Sequence, residues 1–320
     1  MDILTSVLRI SQEETTFAKR GFCGDDTQIQ QHLENIGWIF LQGYHAAIAT
    51  DNLEALVAQL NTVEPDGRGF AFEGAAMGLA LLDFLTPWKR DRLQNFLSGA
   101  GAAHIYMVYV GLGWCLARIP WGIERYLARL GHKPFPDPLL GWLAVDGYGF
   151  HAGYFQPRHY IDLQIIHQAL SDDARHVFDQ GLGRSLWFVH GADVDRIGTT
   201  IKTFHPSRQA DLWSGVGLAC TYAGGVNQQS LETLRILAGA YLPHLAQGAA
   251  FAAKARQRAN NIVLHTEIAC EVLCGMSVEA AATTTDIALE DLPINSHLPN
   301  YEVWRRRIQK QFTGLTVTAS

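Results

Sequence analysis

The sequence predicts an all-α protein with an internal duplication, and three observations carry that expectation. Apolar residues recur at helical spacing along most of the chain and nowhere alternate for long with the period of two that a strand requires. Glycine accounts for 30 of 320 residues, and glycine within apolar helices marks tight crossings or bends. The chain also repeats itself: FLQGYHA at residues 40–46 returns as DGYGFHA at residues 146–152, an offset of 106. The same offset places Phe72-Glu73 on Phe178-Asp179, Arg90 on Arg196, Val110-Gly111-Leu112 on Val216-Gly217-Leu218, and Ala117 on Ala223. One ungapped offset with identities in five separate places implies duplication. The expected organisation is an irregular lead over residues 1–27, helical repeats over 28–133 and 134–245, and a helical extension over 246–320. The two repeats would pack about a pseudo-twofold axis within one compact unit.

The elements follow in order. Leu33, Ile36, Trp38, Ile39 and Leu41 share a helical face, so the first FLQGYHA closes a helix. Asp51 is the expected N-cap of the next, which carries Leu53, Leu56, Val57 and Leu60. Pro65-Asp66-Gly67 reads as a turn. Residues 69–85 form an apolar helix whose only acids are Glu73 and Asp83. Pro87 and Trp88 open a short charged helix. Residues 93–117 contain no Asp, Glu, Lys or Arg and are long enough to span a bilayer. Their counterpart, residues 211–223, is shorter and begins with Asp211, so a buried core helix is expected instead. The Pro-rich residues 133–138 are the clearest break. The second copy repeats the order: a helix into DGYGFHA, an irregular FQPRHY, a helix with Leu163, Ile166 and Leu170, then residues 178–189, a helix capped by Asp193, and residues 211–223. Beyond Asn227 come Ala-rich helices, one capped by Ser277, and a final helix near residues 301–312.

Hydrophobic residues make up 48% of the chain and charged residues 18%, below the usual ~25%, so a large core can form. A net charge of -6 argues against nucleic-acid binding, which needs clustered cations against phosphate. The run Arg305-Arg306-Arg307 lies among Tyr301, Trp304, Ile308 and Phe312 and reads as the solvated face of a C-terminal helix. Five cysteines without a dense framework suit reduced thiols and a cytoplasmic location. Cys270 and Cys274 make half a zinc site at most. The N-terminal residues lack the pattern of a signal peptide.

For chemistry, a pseudo-twofold axis would bring together His45 with His151 and Glu73 with Asp179. Two histidines and two carboxylates resemble the ligand set of a di-iron or di-manganese bundle, although the Glu-x-x-His spacing of those bundles is absent. A non-haem metal is therefore one alternative, with no other cofactor indicated. The other is that each histidine bonds a helix end and each acid a backbone group or an arginine. Arg184, five residues after Asp179, is an economical ion-pair partner for it. Glu73, His104, Asp146, Asp179, Arg184 and Asp211 all sit in strongly apolar segments, where a buried polar group must be paired. Residues 146–160 add Tyr148, His151, Tyr154, Arg158 and His159, either lining a pocket for an apolar ligand or packing a loop. The candidate acid–base groups are Glu73, Asp146, His151 and Asp179. The candidate substrate contacts are Tyr148, Tyr154, His159, Arg184, Asp211 and His104. No Gly-x-Ser-x-Gly, Walker loop, His-Glu-x-x-His or strand-borne Gly-x-Gly-x-x-Gly occurs. Asp172-Asp173 lacks the Asp-Asp-x-x-Asp form of a class I terpene synthase.

FAKRGF at residues 17–22, GFAFEGAAM at 69–77, DGYGFHAGYF at 146–155, FDQGLGRSLWFV at 178–189, DLWSGVG at 211–217 and YEVWR at 301–305 together resemble a bacterial family of unknown function. Its members are often encoded beside enediyne polyketide assembly genes. The likeness covers nearly the whole chain and brings no established catalytic residues. It implies a role in specialised metabolism on a linear polyene. Three functions are therefore expected to compete: an enzyme or enzyme component holding a long apolar polyene or isoprenoid, a terpene-cyclase-like enzyme with a carboxylic acid such as Asp146 as proton donor, and a non-catalytic scaffold. The expected partners are a small apolar molecule, a second copy or pathway proteins, and a membrane surface touched but not spanned.

Overall fold

In the computed structural model, which describes residues 3–88, 91–130, 137–293 and 296–315, the regular secondary structure is helical, with no strand among the described residues. Seven helices form an inner layer: α1 (Thr27–Ala49), α2 (Pro65–Leu85), α3 (Ile105–Leu116), α4 (Leu143–Phe155), α5 (Asp172–Val189), α6 (Pro206–Ala223) and α7 (Leu242–Arg258). Each packs on the next in single file. The contacts advance together along both helices of a pair. Ile39 meets Gly67, Gly43 meets Ala71 and Ala47 meets Gly78, so α1 and α2 run parallel. Parallel neighbours require a return, and short helices such as Leu53–Leu60, Val194–Thr203 and Gln228–Ala238 supply it.

A two-position small-residue register sets this packing. Its first position holds Gly74, Gly111, Gly147, Gly181, Gly215 and Gly248, with the large Leu41 as the exception on α1, and its second holds Gly43, Ala76, Gly113, Gly149, Gly183, Gly217 and Ala250. At each crossing the glycine lies against a carbonyl of the neighbouring helix. A Cβ on Gly181 would stand 1.9 Å from the Asp146 carbonyl oxygen, and one on Gly183 would stand 2.1 Å from that of Leu212. Only a glycine allows helix backbones that close, and the reward is dense packing.

The stack coils until its end meets its beginning. His32 Nε2 donates to the Ala223 carbonyl at 2.7 Å, Tyr222 packs edge-on to Phe70 with ring centroids 5.2 Å apart, and Arg256 donates to the carbonyls of Asp66 at 2.8 Å and Tyr222 at 2.6 Å. A single apolar core runs through the coil. The final helix, α8 (Asn300–Gln311), closes over α7.

Several expectations change. The two 106-residue units are not set apart from each other: α3 of the first packs on α4 of the second through the same glycine register as every other pair. The offset of 106 joins the register of α1 to that of α4, three helices further on, as Gly43 to Gly149. Arg90 and residues 133–136 lie outside the described residues. Pro65-Asp66-Gly67 is no turn but the first turn of α2, since proline at the first helical position needs no partner for its missing N–H. Asn52, rather than Asp51, caps Leu53–Leu60. The uncharged stretch is broken: Arg92–Ser98 and Ala100–Leu116 meet at 77°, and no single helix among the described residues is long and apolar enough to cross a membrane. Arg305, expected in solvent, is fully buried. It donates to Asp211 at 2.6 Å and to Glu302 at 3.0 Å, which ties α8 to α6.

Candidate functional site

The residue just before the first register position points into the coil, and on five helices it is polar: Glu73, Asp146, Gln180, Ser214 and Gln247, all buried. Because the helices stack in register, four of these side chains form a ladder. Gln180 Nε2 donates to Asp146 Oδ2 at 2.7 Å and lies 3.1 Å from the Tyr301 hydroxyl. The Ser214 hydroxyl donates to Gln247 Oε1 at 2.8 Å, with Gln180 Oε1 at 3.2 Å as its alternative acceptor. Gln309 Nε2 of α8 reaches Gln247 Oε1 at 3.3 Å. At the other end Arg184 donates to Asp146 Oδ1, its guanidinium 4.7 Å from the centre of the Phe150 ring.

Glu73 stands apart from the ladder. Its carboxyl is 1% exposed, and its Oε1 has no hydrogen-bond partner. The indole Nε1 of Trp114 is likewise buried without one. Burial raises the Glu73 pKa to about 8. The cation of Arg184 works against the rise, the anion of Asp146 adds to it, and the Trp114 N–H opposes it. At neutral pH Glu73 is therefore a carboxylic acid able to donate.

This acid borders an aromatic cleft lined by Phe40, Phe70, Trp114, Phe150, Tyr154 and Phe188. Trp114 is the hub, with ring centroids 4.6 Å from Phe40 and 5.2 Å from Phe150. Ile10, Glu14 and Thr15 of the N-terminal segment wall the cleft, and Arg118 stands at its rim. The free space is about 40 Å³, enough for water but well below the ~300–1,000 Å³ of a small-molecule pocket. The first FLQGYHA pins that wall: the Tyr44 hydroxyl donates to the Leu8 carbonyl at 2.8 Å, and Ile10 N donates to His45 Nε2 at 3.3 Å. A roomier groove of about 480 Å³, lined by Arg9, Gln42, His45 and Gln59 among others, offers no buried acid.

The other candidates scatter. Of the ten acid–base and substrate-contact residues, Glu73 and Tyr154 line the cleft. Asp146, the expected proton donor, is instead tied to Arg184 and Gln180. The expected Asp179–Arg184 pair does not form, because five residues along a helix turn the two side chains toward different neighbours. Asp179 is held by Arg208 at 2.6 and 2.8 Å. Burial still leaves its pKa raised against that cation. Asp211 accepts from Arg305 and lies 2.7 Å from His176 Nδ1. Burial pushes its pKa up, but Arg305 and His176 outweigh that and bring it below the ordinary value. His151 packs on Phe155 and Trp114, and burial lowers its pKa to about 3. His104 stacks on Phe72 at 4.0 Å and is lowered to about 4, again by burial first. Tyr148 packs on Phe178 and His167, and His159 on Tyr160. His45, His151, Glu73 and Asp179 have separate surroundings, and among the described residues no group of three or more His, Cys, Asp or Glu is placed to hold a metal ion.

Spacing and composition do not single out Trp114, Phe40 and Phe70 of the cleft or Gln180, Ser214 and Gln247 of the ladder. A signal was present: each ladder residue directly precedes a register glycine, as Asp146-Gly147, Gln180-Gly181, Ser214-Gly215 and Gln247-Gly248.

The family model described as Protein of unknown function (DUF1702) matches residues 2–312, and the chain belongs to that family. Searches of curated proteins and of solved structures return no match.

Proposed function

We propose that this chain is an enzyme of specialised metabolism that takes a long apolar substrate, a polyene or an isoprenoid, into the aromatic cleft and protonates it from Glu73. The observation that carries this reading is the buried Glu73 carboxyl, its pKa raised by burial to about 8, with an unpartnered oxygen beside a cleft walled by aromatic faces. Such an acid can place its proton on a carbon–carbon double bond. The cation that forms is attracted to the faces of Trp114, Phe40 and Phe150. Loss of a different proton back to the Glu73 carboxylate then leaves a rearranged hydrocarbon and restores the acid. The resemblance to proteins encoded beside enediyne assembly genes supports the polyene class. The cleft as it stands is too narrow for such a molecule, so the reading requires the segment held by Tyr44 and His45 to move aside.

The test is incubation with linear polyenes and prenyl substrates in deuterium oxide, followed by mass spectrometry of the products. Deuterium-bearing isomers from the wild type and none from Glu73→Gln support the reading. A second reading, a binding scaffold of the same pathway, is favoured by the serial stack of helices, an architecture that presents binding surfaces. Tight binding of the same molecules with no deuterium uptake would favour it.

A further inference from the structure

We infer that the edge formed by the segments following α2, α3 and α4 is a contact surface for an anionic lipid bilayer. Ten large hydrophobic side chains are exposed among the described residues. Six of them, Phe84, Leu85, Trp88, Trp121, Leu163 and Ile165, lie at the end of α2 or in these three segments. Because α2, α3 and α4 are parallel neighbours, the three segments leave from the same end of the stack. Glu124 Oε1 in the second lies 3.8 Å from His167 Nε2 in the third. Of the eight tryptophans, only Trp88 and Trp121 are exposed, at 80% and 67%. Trp121 is displayed on left-handed backbone with φ 53°, a conformation an aromatic residue rarely adopts.

Charge selects the partner. The described residues of these segments, 83–88, 91–92, 118–130 and 158–167, contain five Arg against four Asp or Glu, in a chain whose net charge is -6. Two of those acids are partnered: Asp83 by Arg92 at 3.3 Å and Glu124 by His167. Arg118, Arg125, Arg129 and Arg158 are exposed, and Arg125 lies over the Trp121 ring at 5.7 Å from its centroid. Exposed indoles beside arginines suit the boundary between acyl chains and anionic headgroups, where the ring is half buried and the cation meets phosphate. Arg118 joins the edge to the cleft, since it also stands at the cleft rim. A bilayer here would bring an apolar substrate close to Glu73, yet the surface follows from its own residues and holds whether or not Glu73 is catalytic.

The experiment is flotation of the full chain with vesicles of phosphatidylcholine alone or mixed with phosphatidylserine. Binding to the mixed vesicles is expected, weakened by salt and reduced about tenfold or more in Trp88→Ala/Trp121→Ala. Arg125→Glu, which keeps both indoles, should also reduce it. Circular dichroism shows whether the variants fold, and quenching of wild-type fluorescence by lipids brominated along the acyl chain gives an answer without mutation. Absence of binding to the mixed vesicles, binding unchanged in both variants, or a dimer that only the double substitution splits would each overturn the inference.

Discussion

Arg184 on α5 is held by Asp146 on α4, and the same guanidinium acts on Glu73 of α2, so one buried cation faces two carboxyls, only one of which it bonds. Asp146 takes the direct bond. Glu73 receives only the residual field, which is too weak to offset its burial.

Asp146→Asn removes the direct partner and leaves Arg184 as a buried charge without its counter-ion. Removing one member of such a pair costs about 3–5 kcal/mol, measurable by urea unfolding. Replacing both as Asp146→Leu/Arg184→Met should recover most of that loss. With the anion gone, Arg184 acts on Glu73 unopposed, so any folded Asp146→Asn protein should show a Glu73 pKa below about 8.

Glu73 makes stability fall as pH rises. The unfolded chain releases this proton near its ordinary 4.5, while the native chain holds it to about 8. Between those values the native state binds more protons, so stability declines across the window, by a few kcal/mol in order of magnitude. Glu73→Gln should lack that slope. His104 and His151 act the other way, since their lowered values cost stability as pH falls below about 6.5. Both remain in the variant, so the difference between the wild-type and Glu73→Gln curves isolates Glu73. A flat difference curve would exclude the neutral acid.

The register glycines should be the least tolerant positions in the chain. Gly181→Ala drives a methyl into the Asp146 carbonyl and must push α4 and α5 apart. A loss of roughly 3 kcal/mol or more in thermal unfolding is expected. Gly314→Ala, with nothing within 4 Å, should be neutral within about 0.5 kcal/mol.

These glycines also mark how far the sequence could be read. Helix class, the caps at Asp193 and Ser277 and the inward face of α1 were legible because apolar spacing and cap chemistry are local. The repeat was visible as FLQGYHA and DGYGFHA, but its length was not. The helices share little beyond two positions two apart, small in all but Leu41 of α1, and their spacing varies between 33 and 37 residues, for instance from Leu41 to Gly74 and from Gly74 to Gly111. A fixed offset of 106 keeps the register only from α1 to α4, since Gly74 to Gly181 is 107 and Gly111 to Gly215 is 104. It therefore set Glu73 against Asp179, whereas the register sets Glu73 against Gln180. Glu73 stood out as an acid in an apolar helix. Trp114, which lines the same cleft, does not stand out, because the coil that joins α2, α3 and α4 is a long-range property.

Arg305 anchors the last helix. Arg305→Ala removes the cation from Asp211 and Glu302 and should cost about 3–5 kcal/mol. The nearby His176 offers a second readout. Its pKa is raised chiefly by its bond to Asp211 and held back by Arg305, so it should rise further in the variant, as followed by NMR titration.

The most direct test of the central claim is the protonation of Glu73 itself, read from the infrared difference between wild type and Glu73→Gln across a pH series. A protonated-carboxyl band is expected at pH 7, disappearing near pH 8 as a carboxylate band replaces it. A carboxylate band already complete at pH 6 would contradict the account, because an ionised Glu73 has no proton to give.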